Sequence, residues 1–108
     1  MRKIHTYKRY FREFYDALED KAREKIDYAL MLLKTQDRIS EKFVKYLEEG
    51  IFELRAEYRS DIFRIFFIFD NGNIVVLFNG FQKKSQKTPR AEIEMAKRLK
   101  KEYYESKQ

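Results

Sequence analysis

Two apolar runs, Ile62 to Phe69 and Asn73 to Phe78, flank the tripeptide Asp70-Asn71-Gly72. Asn-Gly supplies the positive φ values that a tight hairpin turn needs, so the pair reads as a β-hairpin. Both faces of Phe63 to Phe69 are apolar apart from Arg64. A strand that is apolar on both sides is covered on both sides, which makes this one central, with helices over one face and a loop or partner over part of the other. Just before it, Phe52, Leu54, Ala56 and Tyr58 alternate with Glu53, Arg55, Glu57 and Arg59, the period of a half-buried strand.

The rest of the chain is organised around this sheet. From Phe11 to Leu33 apolar residues recur at three- and four-residue spacings, the pattern of one amphipathic helix or of two with a break near Asp20. Ser40, the apolar residues Phe43, Val44 and Leu47, and Gly50 at the place of a C-cap predict a second short helix. Thr88 and Pro89 read as N-cap and first-turn proline of a final helix with Ile93, Ala96, Leu99 and Tyr103 on one face. Lys3 to Lys8 is a candidate short strand. The expected fold is α+β: one domain over residues 1–108, with a small antiparallel sheet of three to five strands packed against N-terminal helices and a C-terminal helix.

The 108 residues leave no room for a second core. With 39% charged residues the chain is polar, yet ten Phe and eight Tyr suffice for a compact interior. The absence of Cys excludes disulfides, a thiolate nucleophile and a cysteine zinc site, and His5 alone makes no metal cage, so no metal or cofactor is expected. No apolar run approaches the length of a membrane span, and a cytoplasmic protein is expected. Residues 1–54 carry 12 basic and 11 acidic groups, residues 55–108 carry 12 and 7, so the net charge of +6 lies mainly in the second half. That asymmetry points to a polyanion or an acidic protein as partner.

Arg64 is the leading candidate for chemistry, because a guanidinium in an apolar strand must find a polar partner or a ligand. Two readings stand: an edge residue paired with Asp61 or Glu53, or a functional cation. Pairing around Arg59 to Asp61 would let Arg55, Arg59 and Arg64 approach on one concave face, where an anionic ligand would offset their repulsion; Glu53 and Glu57 on the same face weaken this. Asn79 to Ala91 reads as a loop with Lys83, Lys84, Lys87 and Arg90 and no acid, running into a helix N-terminus that itself attracts anions. Phe81 either packs into the core or stacks on a base from that loop. Glu19/Asp20 and Glu48/Glu49 are sequence neighbours on predicted helices, pointing apart, and make no paired-carboxylate site.

The strings Phe52-Glu53-Leu54-Arg55, Phe63-Arg64-Ile65-Phe66-Phe67 and Phe81-Gln82-Lys83-Lys84-Ser85-Gln86-Lys87-Thr88-Pro89, with Glu92-Ile93 and Ala96 following, resemble the phage-derived Gp49-like, HigB branch of the RelE toxin superfamily. The resemblance implies the toxin of a type II toxin–antitoxin system, an endoribonuclease that cleaves mRNA on the ribosome without a metal. Its implied partners are the ribosome, mRNA and a HigA-like helix-turn-helix antitoxin, with DNA met only through that antitoxin. On this reading Arg64 clamps the transition-state phosphate, Arg55 and Arg59 position mRNA or assist, and Lys83, Lys84 or Lys87 bind phosphate or move a proton. Arg90 and Phe81 would add RNA contacts. A non-catalytic basic binding module and an inactive co-repressor are the alternatives.

Overall fold

The computed structural model describes residues 1–83 and 87–107. In chain order the elements are β1 (Lys3–Thr6), α1 (Tyr10–Asp16), α2 (Asp20–Thr35), β2 (Val44–Glu48), β3 (Ile51–Tyr58), β4 (Asp61–Asp70), β5 (Ile74–Lys83) and α3 (Arg90–Ser106). One five-stranded sheet has the order β1-β5-β4-β3-β2, antiparallel throughout except for the β1–β5 pair. The N-terminal strand, the β4–β5 hairpin and the final helix form as expected, and of the two readings left open for residues 11–33 the structure has two helices with a break before Asp20. Asn71 and Gly72 take φ of 56° and 71°, as the turn requires.

The segment from Ser40 to Gly50 departs from the expectation of a helix. Val44–Glu48 is an edge strand, and Gly50 serves a hairpin turn: Glu49 and Gly50, with φ of 50° and 80°, join it to β3. A glycine after a short apolar segment fits a helix C-cap and a two-residue turn equally well. Pairing with β3, together with the β-branched and aromatic Val44 and Tyr46, decides for the strand.

Strand alternation sorts the core into two layers. Leu54, Ala56, Phe63, Ile65, Phe67, Val75 and Leu77 pack on Phe11 of α1 and Ala22, Ile26, Ala29 and Leu33 of α2. Ile51, Phe66, Ile68, Val76 and Phe78 pack on Ile93, Ala96 and Leu99 of α3. Helices therefore cover both faces of β4, and the second cover is α3 itself, not the loop or partner expected over part of that face.

Two details fix the strand ends. Arg2 closes the C-terminus of α2, its guanidinium donating to the carbonyls of Leu33 (2.7 Å) and Gln36 (2.6 Å). On β5 a bulge falls between the pairs Ile65–Gly80 and Phe67–Leu77, so three steps of β5 oppose two of β4. The strand continues past it to Lys83, where a loop from Asn79 was expected. The extra residue shifts the alternation and brings Phe81 to the same layer as Phe78.

Candidate nucleic-acid interface

Arg55 and Arg64 stand directly opposite each other on β3 and β4. The β3–β4 turn is the two-residue Arg59-Ser60 with Tyr58 facing Asp61, so by alternation the Arg55–Arg64 pair is a non-hydrogen-bonded one, where side chains approach most closely. Two cations in such a pair repel unless an anion joins them. Glu53, two residues before Arg55 and on the same side of the strand, is that anion. Its Oε2 lies 3.1 Å from Arg55 Nε and its Oε1 3.7 Å from Arg64 Nε.

The Thr88 hydroxyl completes the cluster. It donates to Glu53 Oε1 at 2.8 Å and accepts from an Arg64 terminal nitrogen at 3.4 Å. Thr88 was expected to cap α3, but the residue before the helix is Pro89 and no side chain bonds the first-turn amides. Its hydroxyl is engaged by the sheet instead, which pins the start of α3 over Glu53.

Burial divides the two arginines. Arg64 is fully buried and Glu53 is 1% exposed, whereas the Arg55 side chain keeps 22% of its surface. Burial pushes the Arg64 guanidinium below its ordinary pKa, the Glu53 carboxylate pulls it back, and neighbouring Arg55 adds to the lowering. The arrangement is a buried carboxylate between a sealed cation and a half-open one. Chemically, it can present Arg55 at a fixed position to an anion at the surface.

The other expected residues are distributed differently. Arg59 sits exposed in the turn with φ of 60°, its guanidinium 5.0 Å from the Tyr58 ring centre, beyond the paired Arg55 and Arg64. Arg90 makes a two-pronged bond to Glu48 (2.6 Å for each nitrogen) and a further one to Glu94 (2.8 Å), tying α3 to β2. Phe81 stacks on Phe66 with ring centres 5.6 Å apart; packing, not a loop position, is its place. Lys87 is exposed and adjoins Thr88 in the chain. Lys83 ends β5 opposite Ile62, and Lys84 lies outside the described residues.

Thr88 is the member of the cluster that the sequence did not mark, and Glu53 was named only as one of two pairing partners for Arg64. The signal was present for Glu53: by period two it shares a face with Ile51, which belongs under α3, and with Arg55. Thr88 was read through its neighbour Pro89, and only the tertiary approach of α3 reveals its second role.

Comparison with known proteins agrees with this architecture. The crystal structure of the archaeal RelE–RelB complex from Pyrococcus horikoshii OT3 contains a chain that superposes with a TM-score of 0.55 at 10% identity, over 80% of this chain and 98% of that one. At that identity the likeness is one of fold. No curated protein matches the sequence. The family model described as phage derived protein Gp49-like (DUF891) matches residues 13–101, which takes in α2, every strand but β1, and most of α3. By that match over most of its length, the chain belongs to the phage-derived Gp49-like family.

Proposed function

We propose that the protein is the toxin of a toxin–antitoxin pair and acts as a ribosome-dependent mRNA endoribonuclease. The observation that carries this reading is the half-open Arg55, held by Glu53 against the buried Arg64 at the start of α3, in a chain of the Gp49-like family with a RelE-like fold. In RNA cleavage by the adjacent 2′-hydroxyl, that group loses a proton and its oxygen bonds to phosphorus. The bond to the 5′-oxygen breaks and the departing oxygen takes up a proton. Arg55 supplies charge to the phosphate as this proceeds. Arg64 is a positioning residue: sealed from solvent, it fixes Glu53 and through it the direction of Arg55. Lys87, exposed beside Thr88, stands to bind phosphate or move one of the protons, and Arg59 supplies a more distant cation along the RNA. The antitoxin is the expected protein partner, as RelB is in the archaeal complex.

A second reading, RNA binding without cleavage, draws on one observation: Glu53 already neutralises part of the arginine pair. Mapping mRNA 5′ ends in a cell-free translation reaction separates the two. Arg55→Ala is the informative variant, since Arg55 is half-open, whereas Arg64→Ala strands a buried carboxylate and threatens the fold. New ends that require ribosomes and disappear with Arg55→Ala support the nuclease. Arrested translation without new ends establishes the binding reading, and ends that persist undiminished in folded Arg55→Ala overturn Arg55 as the phosphate contact.

A further inference from the structure

Beyond Leu54 the outer edge of β3 has lost its neighbour. Pairing with β2 ends at Val44–Leu54, and a last rung, the Arg55 amide donating to the Phe43 carbonyl at 2.7 Å, closes the ladder. The register with β4 sets what remains. Ala56 and Tyr58 direct their amide and carbonyl groups toward β4, so the Arg55 carbonyl and both backbone groups of Glu57 face outward. Among the described residues no strand covers this stretch.

A groove of about 540 Å³ opens along that edge, walled by Lys25 and Tyr28 of α2, by Lys42 and Phe43 before β2, and by β3 itself from Arg55 to Arg59. Its charge is unbalanced even with Arg55 paired to Glu53: Lys25, Lys42 and Arg59 stand against the carboxylate of Glu57. Its helix-side wall is aromatic, with Tyr28 and Phe43 in edge contact at 5.9 Å.

We propose that this edge receives an extended segment of a protein partner as an added strand, with side chains that alternate apolar and acidic. Two of the three outward backbone groups are carbonyls, and these need N–H donors. A peptide backbone offers donors and acceptors in alternation, whereas the phosphates of a nucleic acid accept only and would meet the Glu57 carboxylate. Once a strand lies in the groove, one set of alternate side chains faces the α2 side, where Tyr28 and Phe43 offer apolar surface and Lys25 a cation, and the other set faces Arg55 on the opposite side of β3. Such a strand also covers Arg55. Insofar as Arg55 is the phosphate contact of the proposed nuclease, its docking shuts the site.

The test uses the intact protein and three probes: a short peptide alternating Glu and Val, its Lys and Val counterpart, and a short RNA. Amide hydrogen exchange is read at Glu57. The acidic peptide should slow exchange there, and the basic peptide should not. Glu57→Pro removes the outward amide without breaking a β4 rung, and joint Lys25→Glu and Lys42→Glu reverses the wall. Each should weaken acidic-peptide binding by about tenfold or more. Unchanged Glu57 exchange at saturating acidic peptide overturns the proposal, as does protection by RNA alone, which would make the groove a nucleic-acid channel. Undiminished binding by folded Glu57→Pro does so too; if that variant does not fold, exchange in the unaltered protein decides. Peptide docking by a protein that produces no RNA ends would leave this inference standing and remove the nuclease. RNA ends without docking would do the reverse.

Discussion

Glu53 is the residue on which the interior depends. A single carboxylate, 1% exposed, faces the fully buried Arg64 and the half-buried Arg55 and also accepts the Thr88 hydroxyl. Removing one partner of a buried ion pair leaves the other charged and desolvated, which is worse than having neither. Glu53→Ala should therefore lower unfolding stability by about 3 kcal/mol in a urea titration. Replacing Glu53 and Arg64 together with Leu and Met should recover most of that loss while abolishing any activity that depends on the position of Arg55. A loss below about 0.5 kcal/mol for Glu53→Ala, the size expected of an ordinary surface change, would show that the cluster is solvated and weakly coupled. The sequence presented both halves of this pair, and Glu53 was one of two named partners for Arg64. What it did not present was the choice between them, because Asp61 is the nearer in sequence and only the β3–β4 register sets Glu53 beside both arginines.

At the scale of elements, local pattern was decisive where a segment settles its own structure and failed where a neighbour settles it. Asn71-Gly72 has one economical conformation, and it forms. The α1–α2 helices follow their spacing. Residues 40–50 were misread because five residues with Phe43, Val44 and Leu47 fit a helical turn and an edge strand alike, and β3 selects the strand. The bulge in β5 left no mark in the sequence except Gly80, whose meaning is tertiary. Gly80 pairs with Ile65, and a Cβ placed there would stand 2.6–2.9 Å from three ring carbons of Phe14 in α1. Glycine is required here by the close approach of a helix, not by its backbone angles. Gly80→Ala should cost about 1–3 kcal/mol by forcing α1 off the sheet. Combining it with Phe14→Leu, which clears the contact, should yield less than the sum of the two losses. Strict additivity in that double-mutant cycle would contradict the contact.

Across the whole molecule, α3 is the element held by charge as much as by its apolar face. In its first half Arg90 and Lys97 grip Glu48 of the β2–β3 hairpin, and Lys97 also reaches Glu49 at 2.5 Å. At its end Tyr103 and Lys107 each bond Asp70 of the β4–β5 hairpin at 2.6 Å, and the Tyr7 hydroxyl contacts Glu102 at 3.3 Å. Hydrogen bonds from Arg90 and Lys97 hold the Glu48 carboxyl down from its ordinary 4.5 to about 2. Lys107 and then Tyr103 lower Asp70 in the same way. Both groups bind protons more weakly in the folded protein than in the unfolded chain, so folding favours their ionised forms. The contribution of Glu48 is complete above pH about 4.5 and is lost as the pH falls toward 2, and that of Asp70 is lost as the pH falls below its ordinary 3.8. The urea midpoint should drop across that window, and amide exchange should rise along α3 before it rises in β4, whose strand lies between two paired neighbours. Glu48→Gln with Asp70→Asn should flatten the drop while lowering stability at neutral pH. If the double variant shows the same acid profile as the unaltered protein, the fastening of α3 lies in its Ile93, Ala96 and Leu99 face alone, and the ion pairs at its two ends are surface contacts of little consequence.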